Sequence, residues 1–347
     1  MTLELACPRC RIPLQIESDL ARCESCGTTY RGLRGIFDLR VADDEYLANA
    51  VDWDLASALD AEYARYDFRG LLERYYDLAG DVPPARRRIQ VAHILSAPAR
   101  SEQWVQALGD RAGNGLILDL GCGPGGFLAS NAVAGRPAVG LDIAMRWLIL
   151  ARKRLDEVGR GDVTLVCGCA EALPFADRAV SAIVAGDVLE HVRDRHATLV
   201  EAHRVLAPRG RLVAATPNRF SLGLEPHVGV WGVGFLPRAW MPRYVRLMSG
   251  SDFRAIQTLG SIGWQREARR SPFGSVELVA PGLPDGFSGF KRMIASLYSG
   301  VARTRPGQVA ARAFGPLFHL VFERQDDHHP PPNPTIPRRS TPPAAQA

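Results

Sequence analysis

From residue 116 onward, the sequence alternates short apolar runs with longer amphipathic stretches. The runs are GLILDLG, PAVGLD, VTLVCG, AVSAIVAGD and GRLVAAT, and stretches such as MRWLILARKRLDEVG and RDRHATLVEAHRVLAP lie between them. Strands that are apolar throughout are buried on both faces, and parallel strands need crossover helices to cover them. The pattern therefore predicts an α/β fold with a mostly parallel sheet between two layers of helices. The later runs SVELVA and PLFHLVFER are predicted to be edge strands of the same sheet.

Composition excludes several other classes of protein. Of the 347 residues, 46% are hydrophobic and 23% are charged, which is ordinary for a globular chain and excludes one that is disordered throughout. No apolar run approaches the ~20 residues of a membrane-spanning helix. The first residues, MTLELACPRC, lack the cationic stretch and apolar core of a secretory signal, so we expect a cytoplasmic protein.

Four of the seven cysteines lie near the start of the chain in the pattern C-x2-C-x12-C-x2-C, formed by Cys7, Cys10, Cys23 and Cys26. Two such knuckles supply the four thiolates of a tetrahedral zinc site, and the spacer can form a hairpin that folds one knuckle onto the other. Two disulfides would require an oxidising compartment, and a redox pair would need a single knuckle beside a βαβ unit. Because four thiolates leave no open position, we predict a structural zinc ion that stabilises a segment too small for a core of its own.

The strongest motif is DLGCGPGGF at residues 119–127, between a predicted strand and a predicted helix. Its glycines let the backbone turn sharply and approach a ligand, as in nicotinamide, flavin and S-adenosylmethionine (SAM) proteins alike. Two features favour SAM. Asp119 can accept hydrogen bonds from the loop and from an ammonium group, and Pro124 lacks an N–H where a pyrophosphate needs donors. Asp142, after the second strand, can accept from both ribose hydroxyls of either cofactor.

Three more segments follow in order: AEALPF from residue 170, LEHV from residue 189 and PRGRL from residue 208. With the loop and the acid, they make residues 116–218 resemble the class I SAM-dependent methyltransferases of the group that includes the ubiquinone and menaquinone biosynthesis enzymes. The resemblance implies a Rossmann-like, seven-stranded sheet and SAM as cofactor. Residues 3–40 resemble the small zinc-ribbon proteins that activate tRNA and release-factor methyltransferases, in the paired knuckles, the following Tyr30 and the Gly35-Ile36 turn.

The resemblance implies a role for each matching position in the cofactor site. The methionine part of SAM falls to Asp119, Gly121 and Gly123, the ribose to Asp142, the adenine to Ile143, Cys169, Ala170 and Glu171, and the methyl donor to Asp187 and Val188. Cys122, within the glycine loop, is also a candidate cofactor-binding residue. One position departs from the family, because residue 169 is often Asp and Cys169 is a poor acceptor. Adenine recognition would then rest on backbone groups or on Glu171, or SAM affinity would be lower. Cys122, Cys167 and Cys169 can also be explained as small packing residues.

The segment after the fourth predicted strand carries further polar candidates. Asp187, Glu190 and His191 share one face if this segment is helical. Some ubiquinone-pathway O-methyltransferases carry a metal-binding cluster with similar E-x-x-E-H spacing, whereas an acid at a helix N-terminus beside a structural Glu-His pair is the simpler interpretation. His227 lies in a glycine-rich segment placed to cover substrate, and it is either a general base or a loop-packing residue. His191 and His227 are the candidate catalytic residues.

The sequence thus divides into four parts: a zinc ribbon at 1–40, a helical connector that caps the cofactor site at 41–115, a methyltransferase domain at 116–325 with a lid at 217–250, and a disordered tail at 326–347. The stretch 287–303 is a potential amphipathic helix with basic residues, which either covers the sheet or lies on a membrane surface.

We expect methyl transfer to an O, N or C nucleophile of a small-molecule or lipid-like acceptor. An RNA methyltransferase is the alternative, since some bacterial rRNA guanine methyltransferases also combine a zinc ribbon with a SAM domain. However, Thr216-Pro217-Asn218 stands where the Asn/Asp-Pro-Pro-Tyr/Phe motif of base-amino methylation would lie. A third interpretation is a non-catalytic interaction protein that binds SAM or zinc.

Charge is distributed unevenly along the chain, whose net charge is +5. Residues 41–80 hold ten acids and three bases, whereas residues 217–325 hold six acids and fourteen bases. The basic excess points to an anionic acceptor, to an anionic surface, or to docking of these two segments against each other.

Overall fold

The computed structural model describes residues 3–80, 82, 84–101, 104, 107, 108, 114–279, 300 and 304–325. A small antiparallel sheet near the N-terminus is followed by a helical segment and then by a seven-stranded sheet with helices on both faces. The predicted tail at 326–347 and nearly all of the predicted helix at 287–303 lie outside the described residues. Within the described part of the chain, no helix combines the length and apolarity needed to cross a bilayer.

The N-terminal sheet and the connector are built from short elements. The strands of the sheet are β1 (Gln15–Glu17), β2 (Leu20–Arg22), β3 (Thr29–Leu33) and β4 (Ile36–Phe37). The helices of the connector are α1 (Asn49–Ala61), α2 (Phe68–Ala79), α3 (Pro84–Leu95) and α4 (Ala97–Arg100). β1 and β2 form the hairpin expected between the two cysteine knuckles. The acidic segment at the start of the connector becomes helical only at Asn49.

The central sheet follows the predicted alternation of strands and helices. Its strands are β5 (Ile117–Leu120), β6 (Ala138–Asp142), β7 (Thr164–Cys167), β8 (Val180–Gly186), β9 (Leu206–Pro217), β12 (Glu277–Val279) and β13 (Leu317–Glu323). The helices among them are α5 (Met145–Glu157), α6 (Arg195–Val205), α7 (Met241–Ser249), α8 (Ser261–Arg270) and α9 (Arg305–Phe314). The remaining pair, β10 (Leu224–Glu225) and β11 (Val230–Trp231), is an antiparallel hairpin in the lid.

Strand order in the central sheet is β12-β13-β9-β8-β5-β6-β7. β5 to β9 run parallel to one another, while β13 pairs antiparallel with β9 and β12 antiparallel with β13. The sheet is therefore mostly parallel, seven-stranded and Rossmann-like, as predicted. The chain order reverses between β5 and β8, and ligands of open α/β sheets bind at the carboxyl ends of the strands beside such a reversal.

Two apolar layers bury the faces of this sheet. On one face, β6 and β8 pack against α1, α2 and α5. On the other face, the same sheet packs against α6, α8 and the N-terminal ribbon. Strand residues alternate between the two layers, so that Ile117 belongs to the first and Leu118 to the second. Such strands read as continuous apolar runs in the sequence.

The N-terminal ribbon docks on the β7 edge of the central sheet. The Leu39 N–H donates to the Cys167 carbonyl at 2.7 Å, and the Ala6 N–H donates to the Pro174 carbonyl at 2.9 Å. Seven buried ribbon residues join the apolar layer of that sheet face: Leu5, Cys7, Ala21, Cys23, Tyr30, Phe37 and Leu39. The ribbon thus occupies a position on the sheet that a covering helix would otherwise fill.

Two local predictions were wrong. Residues 121–130 form successive turns instead of the helix expected after the glycine loop, because Gly125, with φ +72°, is left-handed and interrupts a helix. Residues 189–191 also form a turn, and the helix expected there begins only at Arg195, where Asp194 accepts a hydrogen bond from the Ala197 N–H at 3.0 Å.

Candidate active site

A cavity of about 290 Å³ opens at the carboxyl ends of β5, β6 and β8, where the strand order reverses. Eight residues predicted to bind the cofactor line it: Gly121, Gly123, Asp142, Ile143, Ala170, Glu171, Asp187 and Val188. The other three, Asp119, Cys122 and Cys169, are buried behind the cavity wall and do not line it. The cavity also borders residues that the sequence analysis did not select, among them Asp44, Tyr46, Arg146, Trp147 and Arg193.

The glycine loop passes close to the turn after β8. Gly121 has φ +71°, and a Cβ atom built on it would lie 2.2 Å from Cγ2 of Val188. A side chain at Gly121 would therefore both strain the backbone and displace the cavity wall. Gly123 donates its N–H to Asp142 Oδ2 at 2.8 Å, which fixes the loop against the end of β6.

Two buried carboxylates lie beneath and beside this loop. Burial and the neighbouring charge of Asp142 raise the pKa of Asp119 to about 8. Burial raises the pKa of Asp142 to about 6, although its oxygens accept hydrogen bonds from the Ala144 and Gly123 N–H groups at 2.8 Å. Burial therefore disfavours the negative charge of both carboxylates, and the charge of Arg146 offsets this only in part at Asp142. A cationic ligand would stabilise the charged carboxylates, so the residues present fit a sulfonium-bearing amino acid such as SAM.

The wall formed by residues 168–171 differs from its expected role in one respect. Cys169 is fully buried, and its Sγ faces the Ala42 carbonyl at 3.8 Å and not the cavity. Glu171 lines the cavity, accepts from the Arg193 N–H at 2.9 Å and pairs with its guanidinium at 3.3 Å. Cys122 also points away from the cavity and packs against Gly140 of β6.

The connector contributes one side of the cavity through Asp44, Glu45 and Tyr46. These residues precede α1 and are not helical. The Tyr46 hydroxyl lies 2.5 Å from Nδ1 of His191, and the Arg193 guanidinium donates to the Asp43 carbonyl. The connector is thus tied to the turn after β8 by polar contacts across the cavity.

A buried ion-pair network connects the ribbon and connector to the cavity. Asp52 of α1 is fully buried, and its carboxylate accepts from Arg40 at 2.9 Å and from Arg146 at 2.6 Å. The same carboxylate accepts from the Met145 N–H at 2.9 Å and so caps the N-terminus of α5, whose own N-cap residue makes no side-chain bond. Arg40 also donates to the Ile143 carbonyl at 3.1 Å, directly at the cavity wall.

The two candidate catalytic histidines meet at the lid side of the cavity. His191 lines the cavity, and its Nε2 lies 3.1 Å from Nε2 of His227 in the lid. Nδ1 of His227 lies 2.5 Å from Oε1 of Glu225, which orients the ring. Asp187, at φ +53°, lines the cavity beside them. A relay of Tyr46, His191, His227 and Glu225 therefore extends from the connector to the lid.

Glu190 lies under this histidine pair and is fully buried. Its Oε2 accepts from the Thr216 hydroxyl at 3.0 Å, whereas its Oε1 has no hydrogen-bond partner and lies 3.7 Å from Nε2 of His227. Glu190, His191 and His227 can each offer one ligand atom, and these atoms lie within 4.8 Å of one another. The predicted trio included Asp187, but the structure brings His227 into this group instead.

Electrostatics place the proton of the histidine pair on His227. Burial opposes its imidazolium, but the hydrogen bond to Glu225 and the charges of Glu225, Glu190 and Asp187 raise its pKa overall. Burial and the charge of His227 lower the pKa of His191 to about 4, so that ring stays neutral. Burial and the charge of Asp187 raise the pKa of Glu190 to about 7. When the pair is protonated, the proton therefore resides on His227 and not on His191.

The four N-terminal cysteines converge as their spacing predicted. Their Sγ atoms lie within 4.8 Å of one another, and those of Cys7 and Cys26 are 3.9 Å apart. With Zn–S bonds of about 2.3 Å, a tetrahedral site has its sulfurs about 3.8 Å apart. None of the four cysteines forms a disulfide. The donor set and its spacing fit a zinc ion.

Several of the residues around the cavity left no sequence signal that could be read alone. Arg40 gives no signal beyond being an arginine. Asp52 and Arg146 belong to helices whose polar residues would be expected to face solvent. Asp52 breaks the expected pattern, because a charged residue points into the buried side of α1. Tyr46 and Glu225 become visible only once the fold brings them beside the histidines.

Comparison with known proteins assigns the central part of the chain. Residues 118–214 match the family described as "Methyltransferase domain". The chain is 34% identical over 170 residues to the ubiquinone biosynthesis O-methyltransferase of Maricaulis maris, covering 48% of this chain and 64% of that protein. It is 30% identical over 138 residues to the demethylmenaquinone methyltransferase of Renibacterium salmoninarum, covering 39% of this chain and 55% of that protein.

Among solved structures, the geranyl diphosphate C-methyltransferase of Streptomyces coelicolor is similar over 65% of this chain and 75% of its own, with 18% identity and a TM-score of 0.43. The matched region spans less than two thirds of the two curated relatives.

Proposed function

We propose that this chain, which carries a methyltransferase domain at residues 118–214, transfers the sulfonium methyl group of SAM to an O, N or C nucleophile of a small-molecule or lipid-like acceptor. The observation that carries the proposal is the single cavity bordered by the glycine loop, by Asp142 and by the turn that holds His191. The groups that we propose to bind the donor and to accept the proton thus face the same space. In the transfer, the acceptor's lone pair forms the bond to the methyl carbon, the carbon–sulfur bond breaks, and the electron pair stays on sulfur.

The donor would be held by residues from three strand ends. Asp142 has acceptor capacity for ribose hydroxyls, since each carboxylate oxygen uses one lone pair on a backbone N–H. The glycine loop and the buried Asp119 would hold the amino-acid part. Backbone groups and Glu171, which faces the cavity where Cys169 does not, would contact the adenine. SAM supplies an activated methyl group with a good leaving group, so positioning accounts for much of the rate.

The histidine pair would accept the proton that the nucleophile loses. His191 faces the cavity and stays neutral, while Glu225 and Glu190 stabilise positive charge on His227. A proton from an acceptor O–H or N–H would pass to the Tyr46 hydroxyl, whose own proton would move to Nδ1 of His191 while the Nε2 proton of His191 moves to His227. Tyr46 would hold the His191 ring in place through its Nδ1.

The acceptor class is inferred from the lid and from relatives. The two relatives above are named for steps of ubiquinone and menaquinone biosynthesis, which supports a small or lipid-like acceptor. An RNA base is disfavoured because the Thr216–Asn218 segment is used internally. Thr216 bonds to Glu190, and the buried Asn218 amide donates to the Gly315 carbonyl at 3.0 Å.

A specific observation supports a second, metal-assisted version of the same reaction. Glu190 Oε1 is buried without a partner and converges with the Nε2 atoms of His191 and His227, while Glu225 and Tyr46 hold the outer ring nitrogens. Metal-binding histidines are commonly oriented by such outer partners. A divalent cation there would lower the pKa of a coordinated acceptor hydroxyl. The four cysteines would separately bind a structural zinc ion.

Calorimetry with SAM, followed by turnover, tests the proposal. Wild type should bind SAM, Asp142→Ala should lose at least about tenfold in affinity, and Asp162→Ala, which alters an exposed carboxylate, should bind normally. His227→Asn should keep SAM affinity and lose about 100-fold or more in turnover. Turnover that disappears with a chelator at intact SAM affinity, and returns with a divalent cation, would select the metal-assisted version. Absence of SAM binding would refute both.

A further inference from the structure

The lid carries an unusual share of the exposed apolar surface. Among the described residues, twenty large hydrophobic side chains are exposed, and eight of them fall within residues 220–248. We call these eight the lid surface: Phe220, Leu222, Leu224, Trp231, Phe235, Trp240, Leu247 and Met248. Soluble proteins rarely expose apolar side chains in such concentration without a partner.

Five of the eight lid-surface residues lie on backbone segments that contact one another. Leu224 pairs with Trp231 across the β10–β11 hairpin, and the Trp231 indole N–H donates to the Leu222 carbonyl at 3.0 Å. The Tyr244 hydroxyl donates to the Trp231 carbonyl at 3.0 Å, so α7 lies against the hairpin. Leu247 and Met248 follow Tyr244 by three and four residues and share its helix face. The Leu222 N–H donates to the Phe314 carbonyl, and Phe314 is itself half exposed.

The lid surface is not needed to hold the lid together. A separate apolar cluster inside the lid does that, formed by Val228, Val230, Val233, Met241, Val245 and Phe253. α7 illustrates the division, since Met241 and Val245 face this cluster while Leu247 is 82% exposed. The most exposed of the outward side chains, such as Leu247, therefore contribute little to the fold of the lid, which points to a binding surface.

The exposed charges of the lid, residues 217–250, have one sign. Arg238, Arg243 and Arg246 are exposed beside the lid surface. Glu225 is the only acid in residues 217–250, all of which are described, and its side chain is only 10% exposed and bonded to His227. The acidic connector does not neutralise these arginines, because the ion pairs of its described acids go to arginines of the ribbon, of α5 and of the connector itself.

From this juxtaposition we propose that the lid surface docks onto an anionic lipid bilayer. Exposed leucines and methionine can insert among acyl chains, tryptophans lie at the level of the headgroups, and arginines meet lipid phosphates. A single-stranded nucleic acid would require stacking platforms, whereas half of the lid surface is aliphatic and cannot stack on bases. The inference goes beyond methyl transfer, and membrane binding can be measured without SAM.

Docking through the lid surface would also place the cavity near the membrane. The lid that carries the patch also carries His227, which contacts His191 at the cavity wall. A lipid-like acceptor could then pass from the bilayer to the histidine pair without crossing bulk water. Arg238, Arg243 and Arg246, which belong to the basic excess of residues 217–325, would then meet the lipid phosphates.

Vesicle co-sedimentation of the full-length, zinc-loaded chain tests this proposal. The protein should bind vesicles that contain phosphatidylglycerol, bind phosphatidylcholine vesicles weakly, and dissociate at high salt. Leu247→Ser with Met248→Ser should weaken binding by about tenfold or more, and Arg243→Glu with Arg246→Glu should abolish the preference for anionic lipid. Ile89→Ser, at an equally exposed position on α3, is the matched control and should bind as wild type does.

Each other outcome would overturn the proposal. Wild type that fails to bind anionic vesicles, or a Leu247/Met248 double variant that binds them as well as wild type, would contradict membrane docking. So would a wild-type homodimer that this double variant converts to monomer, or wild type that associates with RNA and not with vesicles. Unchanged unfolding temperatures would confirm that the variants fold, since the altered side chains are exposed. SAM calorimetry on the same samples separates a failed membrane proposal from a failed methyltransferase proposal.

Discussion

Asp52 is the residue through which ribbon, connector and cofactor cavity are electrostatically joined, so its replacement gives a demanding test. Asp52→Asn keeps the shape of the side chain but removes the charge that faces Arg40 and Arg146. Arg40 retains its contact with Asp38 at 2.7 Å, whereas the remaining ion pair of Arg146 among the described residues, with Asp44, is longer at 3.6 Å. Arg146 is therefore the cation left poorly compensated, in a side chain that is 9% exposed.

The expected loss follows from these contacts. Breaking a buried pair by removing one partner costs about 3–5 kcal/mol, and the surviving Asp38 contact places Asp52→Asn near the lower end, at about 3 kcal/mol. Asp52→Ala also removes the acceptor for the first N–H groups of α5, which adds about 1 kcal/mol. Against a total stability of about 5–15 kcal/mol, either change should be conspicuous.

Urea unfolding measures these losses through the transition midpoint at unchanged slope. Asp54→Asn is the matched control, since Asp54 is exposed on the same helix and should change stability by less than about 0.5 kcal/mol. SAM affinity should fall with Asp52→Asn as well, because Arg146 and Ile143 line the cavity. A loss below about 1 kcal/mol would refute the view that this network holds the three parts together.

Three further predictions concern the loop, the buried acids and the metal. Gly121→Ala should abolish measurable SAM binding because its Cβ would lie 2.2 Å from Val188. Gly123→Ala has no atom within 4 Å of its Cβ and should cost only backbone strain of about 1–2 kcal/mol. Equal SAM affinities of the two variants would contradict this. The ligand-free protein should lose stability as pH rises from 3.8 towards about 8, because the raised pKa of Asp119 makes the folded chain bind protons more tightly than the unfolded chain. In pH-dependent unfolding, Asp119→Asn should flatten the dependence of the unfolding free energy on pH. Zinc removal should lower the unfolding temperature of the whole chain in calorimetry, because the ribbon shares an apolar layer with the sheet; an unchanged main transition after chelation would show that the ribbon is energetically separate.

The sheet could be predicted from the sequence because strands that are buried on both faces appear as continuous apolar runs. β5, β6, β7 and β8 are apolar through nearly their whole length, and α5, which follows β6, keeps a polar face. The cysteine knuckles and the glycine loop are equally local, since their chemistry depends on spacing along the chain. The turns after β5 and β8 were predicted as helices because the spacing of apolar residues does not show where a residue adopts the left-handed conformation, as Gly125 and Asp187 do.

The polar partners of the cavity could not be predicted, because they are set by tertiary contacts. Tyr46 and His191 are 145 residues apart in sequence, and Arg40 and Ile143 are 103 apart. A charged residue on an amphipathic helix usually faces solvent, so the sequence of α1 alone predicts an exposed Asp52, whereas the structure buries it. Cys169 stands at the position that the resemblance assigns to adenine recognition, yet its thiol faces the Ala42 carbonyl.

The central claim is that the cavity at the end of β5 and β6 binds SAM and delivers its methyl group to a small or lipid-like acceptor. The most direct measurement supplies methyl-labelled SAM to nuclease-treated extract and follows the label into the organic phase. Wild type should label that phase, and Asp142→Ala should not. Label that appears only in the absence of nuclease and in the RNA fraction, or no transfer by wild type into any fraction, would contradict the account.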